Sequence, residues 1–281
     1  MHTVALSWRQ AETLAMVLLA SSVALQFANT ARLRVLGPFL RESGLLAGLY
    51  GLWQLAGTLA VVGTEGAFAR ARWILRTERD WHLPSELDVQ HLIAPHPLLT
   101  QACNLYYATM HFPSLFALLI WLFARHRDRY GQVRTTVVGL TAACFVIQLL
   151  PVAPPRLLPA FGFVDTAEQY GQSVYAAFGA IGADQLSAMP SVHVGWAVLV
   201  ALAAITISPS RWRWLVLAHP IFTAFVVSAT ANHFWLDGLV AVAVLLAALS
   251  AQAGGRRVVV QMRTGRSAGA PVREDELVAA M

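Results

Sequence analysis

Residues 188–196 read AMPSVHVGW and residues 231–237 read ANHFWLD. Each run sets a histidine, His193 or His233, at the start of a strongly apolar stretch, and the second run adds Asp237 four residues on. Imidazoles and carboxylates are costly beside hydrocarbon, so ionisable groups clustered in membrane-spanning sequence mark a functional site. A spacing of four is about one helical turn, which would put His233 and Asp237 on one face of a helix. A carboxylate bonded to one ring nitrogen fixes the tautomer and stabilises the imidazolium, freeing the other nitrogen to attack an electrophile. His193, carried by a different helix, is then suited to protonate a leaving oxygen as general acid.

The neighbouring residues extend this chemistry. Pro190 fits the first position of a helix, where its missing N–H costs nothing. Ser191 would then lie in the first turn, where unpaired N–H groups and the helix dipole favour an anion; a plain helix-start role is the ordinary alternative. The run PVAPPR at 151–156 ends an apolar segment, and Arg156 presents a guanidinium fork suited to bidentate phosphate recognition. Tyr107 and His111, again four apart, make a second same-face pair, readable as a substrate-facing patch or as interfacial aromatic residues. Asn232, in the turn before His233, completes the candidate substrate contacts. Asp165 and Thr166 in GFVDT read as a turn or cap.

The bulk composition agrees with a membrane setting. The chain of 281 residues is 57% hydrophobic and only 12% charged, against about 25% charged in ordinary soluble domains. Its net charge of +5 does not signal nucleic acid, because the basic residues, all arginine, are scattered in small groups between apolar segments. Cys103 and Cys144 belong to separate segments, which suggests neither a disulfide framework nor a metal site. No cleavable signal is evident, because the first apolar stretch is too long and lacks a clear cleavage site. Seven apolar segments stand out, at 11–29, 44–63, 104–124, 134–152, 190–207, 214–231 and 235–253. The last two are separated by a tight turn at Asn232, so an antiparallel hairpin is expected. A cytoplasmic C-terminus puts fourteen arginines inside and leaves six outside, as the positive-inside rule requires. His193, His233 and Arg156 then share the extracytoplasmic face. Segment 11–29 either crosses the membrane or lies on it. The stretch 64–81 is amphipathic, with Ala67, Ala71 and Ile74 on one face and Arg72, Arg76 and Arg79 on another. It fits an interfacial helix on the membrane surface or one packed on the bundle. Residues 254–281 read as a disordered cytoplasmic tail.

With APPRLLP, GFVDT, AMPSVHVGW and TANHFWLD, the chain resembles the type 2 phosphatidic acid phosphatase superfamily. It is most similar to the branch of inositol-phosphorylceramide and sphingomyelin synthases, and especially to its bacterial relatives. The likeness spans roughly 44–253 and is densest over 151–240. It implies an all-α integral membrane fold with a six-helix transmembrane catalytic bundle at 44–253. An extra N-terminal apolar helix and loop would occupy 1–43, with the interfacial helix added. It also implies that His233 is a nucleophile forming a phosphohistidine, that Asp237 orients it, and that His193 protonates the leaving group. Neither a metal nor another cofactor is implied.

Two departures bear on the substrate. The hydrolases of that superfamily carry a Ser-Arg pair before the nucleophilic histidine, where this chain has Val226, Val227 and Ser228. They also carry a lysine ahead of their first arginine, and this chain has no lysine. Fewer cations suit a phosphodiester, with one negative charge, better than a monoester with nearly two. The expected function is therefore head-group transfer between lipids in the bilayer, acting on a lipid phosphate or phospholipid. The alternative is a lipid-phosphate phosphatase using the same residues. A proton-gating transporter would need polar residues spread through several helices at the midplane, whereas here they gather at one face. A soluble haloperoxidase would need a sizeable soluble portion.

Overall fold

Leu115, Leu118, Leu119 and Leu122 recur at three- and four-residue spacing, which aligns them on one helical face. A computed structural model describes residues 7–27, 31–59, 64–173 and 184–268 of the chain and uses that face as the centre of a helical bundle. In chain order the helices are α1 (Trp8–Gln26), α2 (Ala31–Leu59), α3 (Thr64–Asp80), α4 (Glu86–Ile93), α5 (Pro97–Thr109), α6 (His111–Arg125), α7 (Arg127–Gln148), α8 (Thr166–Gln169), α9 (Val192–Ile207), α10 (Ala218–Ala229) and α11 (Trp235–Ala268). The α6 leucines pack with Val133, Val137 and Leu140 of α7, Leu199 and Ala203 of α9, and Leu245 of α11.

Among the described residues, α7, α11 and the segment Arg211–Ala229 are long and apolar enough to cross a membrane. The α5–α6 pair qualifies as a fourth span, although its two helices meet at 46°. The expected single segment 104–124 is thus a broken one. α9 is apolar but shorter, at 16 residues. Residues 28–29 and 60–63, the ends of two expected segments, lie outside the described residues, as does everything beyond 268.

Two further expectations are revised, and one of the two readings of 64–81 is favoured. The stretch 254–268, expected within a disordered tail, is helical and continues α11. α10 and α11 do not pack as a close hairpin: α10 lies against α9, α4 and α5, whereas α11 lies against α9 and α7. α3 turns Ala67, Ala71, Ile74 and Leu75 into the protein, against Val152, Ala153, Leu158, Phe163, Ala231 and Phe234. Its apolar stripe therefore meets protein, and Arg70 fixes it there by donating from Nε to the Pro151 carbonyl at 2.7 Å.

α1 and α2 form a separate helical pair in close approach. A Cβ placed on Gly44 would sit 2.9 Å from Leu19 Cγ and 3.1 Å from the Ala15 carbonyl oxygen, so only glycine fits there. The pair is tied to the bundle at Glu42, which accepts from the Tyr130 hydroxyl at 3.0 Å and pairs with Arg134 of α7.

Deleting three carbons at a fully buried leucine leaves a cavity that packed helices refill poorly, a cost of about 2–5 kcal/mol. Leu122→Ala should therefore lower the melting temperature in detergent clearly. Ile120→Ala, at a position 68% exposed, should leave it nearly unchanged.

Candidate active site

His233 lies in the turn between α10 and α11, not on the helix that its spacing suggested. The turn is tight because Ala231 adopts φ 52, in the left-handed region that costs a non-glycine residue about 1 kcal/mol. That conformation is held from outside: the Arg156 backbone N–H donates to the Ala231 carbonyl at 2.8 Å. His233 still reaches Asp237, with Nδ1 3.4 Å from Oδ2. A nearer partner was not legible in the sequence: Nδ1 lies 2.7 Å from the Ala188 carbonyl oxygen. A carbonyl only accepts, so Nδ1 carries the hydrogen, and in the neutral ring Nε2 carries the lone pair. Nε2 is buried and has no hydrogen-bond partner among the described residues.

The segment donating that carbonyl is fixed from two sides. Val152 N–H donates to Leu186 at 2.6 Å and Ala188 N–H to Val152 at 3.2 Å, a bridge between the PVAPPR run and the AMPS run. The Gln148 side chain donates to the Pro190 carbonyl at 3.0 Å. Pro190 is joined to Met189 by a cis peptide and precedes the helix, which starts at Val192. Ser191 is the N-cap, fully buried, accepting from Val194 N–H at 3.4 Å; its own N–H donates to the Asp237 carbonyl at 3.0 Å. Its observed work is to cap α9 and tie it to α11.

His193, in the first turn of α9, faces His233 at a ring-centroid distance of 5.5 Å. Tyr107 stacks on His193 at 4.4 Å, and His111 meets its edge at 4.5 Å. The second same-face pair thus converges on the first histidine. Arg156, buried in a short 3-10 turn, donates from Nε to Asn232 Oδ1 at 3.0 Å and from Nη1 to Asp165 Oδ2. Asn232 in turn donates to the Thr230 hydroxyl at 2.9 Å. Asp165 is indeed a cap, accepting from Glu168 N–H at 3.0 Å, and also the ion-pair partner of Arg156. The structure therefore brings His193, His233, Asp237, Tyr107 and His111 together, with Arg156 and Asn232 alongside.

Two buried acids complete the surroundings and were missed in the sequence. Glu78 of α3 accepts from Leu236 N–H at 2.7 Å, and Glu86 of α4 accepts from Trp235 N–H at 3.0 Å. Asp237 accepts from Phe234 N–H at 2.9 Å. Three carboxyls thus satisfy the first N–H groups of α11, which have no partner within the helix. Burial, then the hydrogen bond and charge of Glu86, push Glu78 up to about 9, so it holds a proton at neutral pH. Its only sequence signal was an acidic residue on an amphipathic helix, which reads as solvent-facing.

Two cavities flank Tyr107. One is bordered by His193, His111, Tyr106 and His219. The other is bordered by Arg156, Asp165, Asn104, Gln172 and Asn232.

In comparisons with known proteins, the family model of the PAP2 superfamily matches residues 72–251, a span holding all of the side chains above. No curated protein and no solved structure matches the chain.

The proton on Glu78 sets a sign. Between about pH 4.5 and 9 the folded chain keeps this proton while the unfolded chain has released it. Stability should therefore fall as pH rises through that window. Glu78→Gln keeps an acceptor for Leu236 N–H and needs no proton. Its melting temperature in detergent should vary less over this range than that of the wild type. Parallel curves for the two proteins would show that Glu78 is not the proton holder.

Proposed function

Since the chain belongs to the PAP2 superfamily, we propose that it moves a phospho-head group between membrane lipids through a covalent phosphohistidine on His233. The observation that carries this reading is the pairing of His233 Nδ1 with the Ala188 carbonyl and Asp237, which leaves Nε2 as the nucleophilic nitrogen. Nε2 attacks phosphorus, the bond to the departing alkoxide breaks, and protonated His193 gives its proton to that oxygen. An acceptor alcohol then returns a proton to His193, its oxygen attacks phosphorus, and the P–N bond breaks. Arg156 neutralises charge on the non-bridging oxygens, and Asp237 stabilises the charged ring of His233. The positive charge comes from Arg156, so the reaction in this reading needs no metal.

Transfer is favoured over hydrolysis by the lack of a second cation where Val226, Val227 and Ser228 stand, all three buried. With water as acceptor the same residues would make a lipid-phosphate phosphatase. In the membrane, the six-helix core would comprise α2, the α5–α6 pair, α7, α9, Arg211–Ala229 and α11, with α1 as the extra helix. The site would face the extracytoplasmic side and the C-terminus the cytoplasm. The Glu42–Arg134 contact supports this arrangement, because both residues belong to arginine-rich stretches assigned to the inner side.

The test uses purified protein with a lipid phosphodiester and with a nitrophenyl phosphodiester, whose leaving group departs without protonation. His233→Ala should lose turnover of both. His193→Ala should lose about 10²–10⁴-fold on the lipid diester, the usual worth of a general acid, and far less on the nitrophenyl ester. Substantial activity in a folded His233→Ala protein would overturn the reading.

A further inference from the structure

On the side of Tyr107 away from Arg156, three polar side chains meet that the reaction above does not use. The Tyr106 hydroxyl of α5 lies 3.0 Å from His219 Nδ1 and 3.1 Å from the Thr223 hydroxyl. His219 and Thr223 are one turn apart on α10, and all three residues border the small cavity that His193 also borders. Nε2 of His219 is buried and has no hydrogen-bond partner among the described residues. An unmet polar group of this kind is destabilising until something bonds to it. The setting is otherwise apolar. Val226 and Val227 line the same cavity. The Phe222 ring packs edge-on against Tyr106 at 4.9 Å, and it and Ile221 are 45% and 68% exposed on a helix apolar enough to cross a membrane.

A ligand for this place must bring a hydroxyl to His219 and an apolar body to the face of α10, which describes an alcohol dissolved in the bilayer. Resting on the phosphohistidine reading above, we propose that Tyr106, His219 and Thr223 form the binding subsite for a lipid-alcohol acceptor, separate from the Arg156 side where the phosphate binds. The bound hydroxyl gives its proton to His193, which lines the same cavity. Its oxygen bonds to phosphorus, and the P–N electron pair returns to His233 Nε2. Tyr107, which borders both cavities, is the partition between acceptor and phosphate.

The experiment measures purified full-length protein with a nitrophenyl phosphodiester donor and dioctanoylglycerol as acceptor, following nitrophenolate and the new phospholipid separately. His219→Leu and Thr223→Val should each raise the acceptor KM about 5- to 10-fold, the scale of one lost hydrogen bond. The donor KM should stay within about two-fold, and His219→Gln should recover most of the acceptor affinity. Thr223→Val keeps the side-chain shape, so it carries the test if His219→Leu fails to fold. Unchanged acceptor KM in the folded variants would overturn the subsite. So would a wild type that cleaves donor but takes dioctanoylglycerol no better than ethanol, and in both cases the phosphohistidine reading survives. Absence of nitrophenolate release from wild type would instead remove that reading, and the subsite with it.

Discussion

The contact on which the site depends is the one between His233 Nδ1 and the Ala188 carbonyl, 2.7 Å long and 45 residues apart in sequence. It joins the turn before α11 to the segment before α9, and by using an acceptor that cannot donate it fixes which ring nitrogen is left over. Everything nearby serves to keep those two segments in register. The Val152–Ser187 bridge holds the Ala188 side, Ser191 ties α9 to the Asp237 carbonyl, and Arg156 braces the turn through Ala231 and Asn232. Moving either segment would loosen the tautomer and the distance to His193 together.

Burying these groups has a cost, and backbone N–H groups offset it. Asp237 is fully buried, yet it accepts from Phe234 N–H while facing His233. Glu78 and Glu86 do the same for the next two N–H groups. A helix N-terminus with partial positive charge is a natural place for such acids. Burial, with Glu86 alongside, keeps the proton on Glu78. The amphipathic α3 and α4 supply those two acids, so these helices help build the site and do not merely decorate the bundle.

Much of this was legible in the chain. Apolar segments and their ends follow from hydrophobic runs and prolines, because helix formation and burial are governed by local periodicity. The His233–Asp237 proximity survived even though His233 is in a turn, because a four-residue spacing spans a helix start as well as a helix turn. The expected α10–α11 hairpin did not survive. Each helix buries more by packing on α9, and turn length alone does not choose a helix's partner.

The sequence by itself determined an all-helical membrane chain, its superfamily motifs and the residue types of the candidate site, since these depend on composition and short spacings. Only the tertiary structure decided the rest: the Ala188 carbonyl on His233, the stacking of Tyr107 on His193, the Arg156–Asp165 pair, and the carboxyls of Glu78 and Glu86 at the start of α11. A backbone carbonyl has no residue type to read. Contacts between residues 149 and 158 positions apart obey no period, and arise only when separate helices compete to bury their apolar faces and leave these polar groups facing one another.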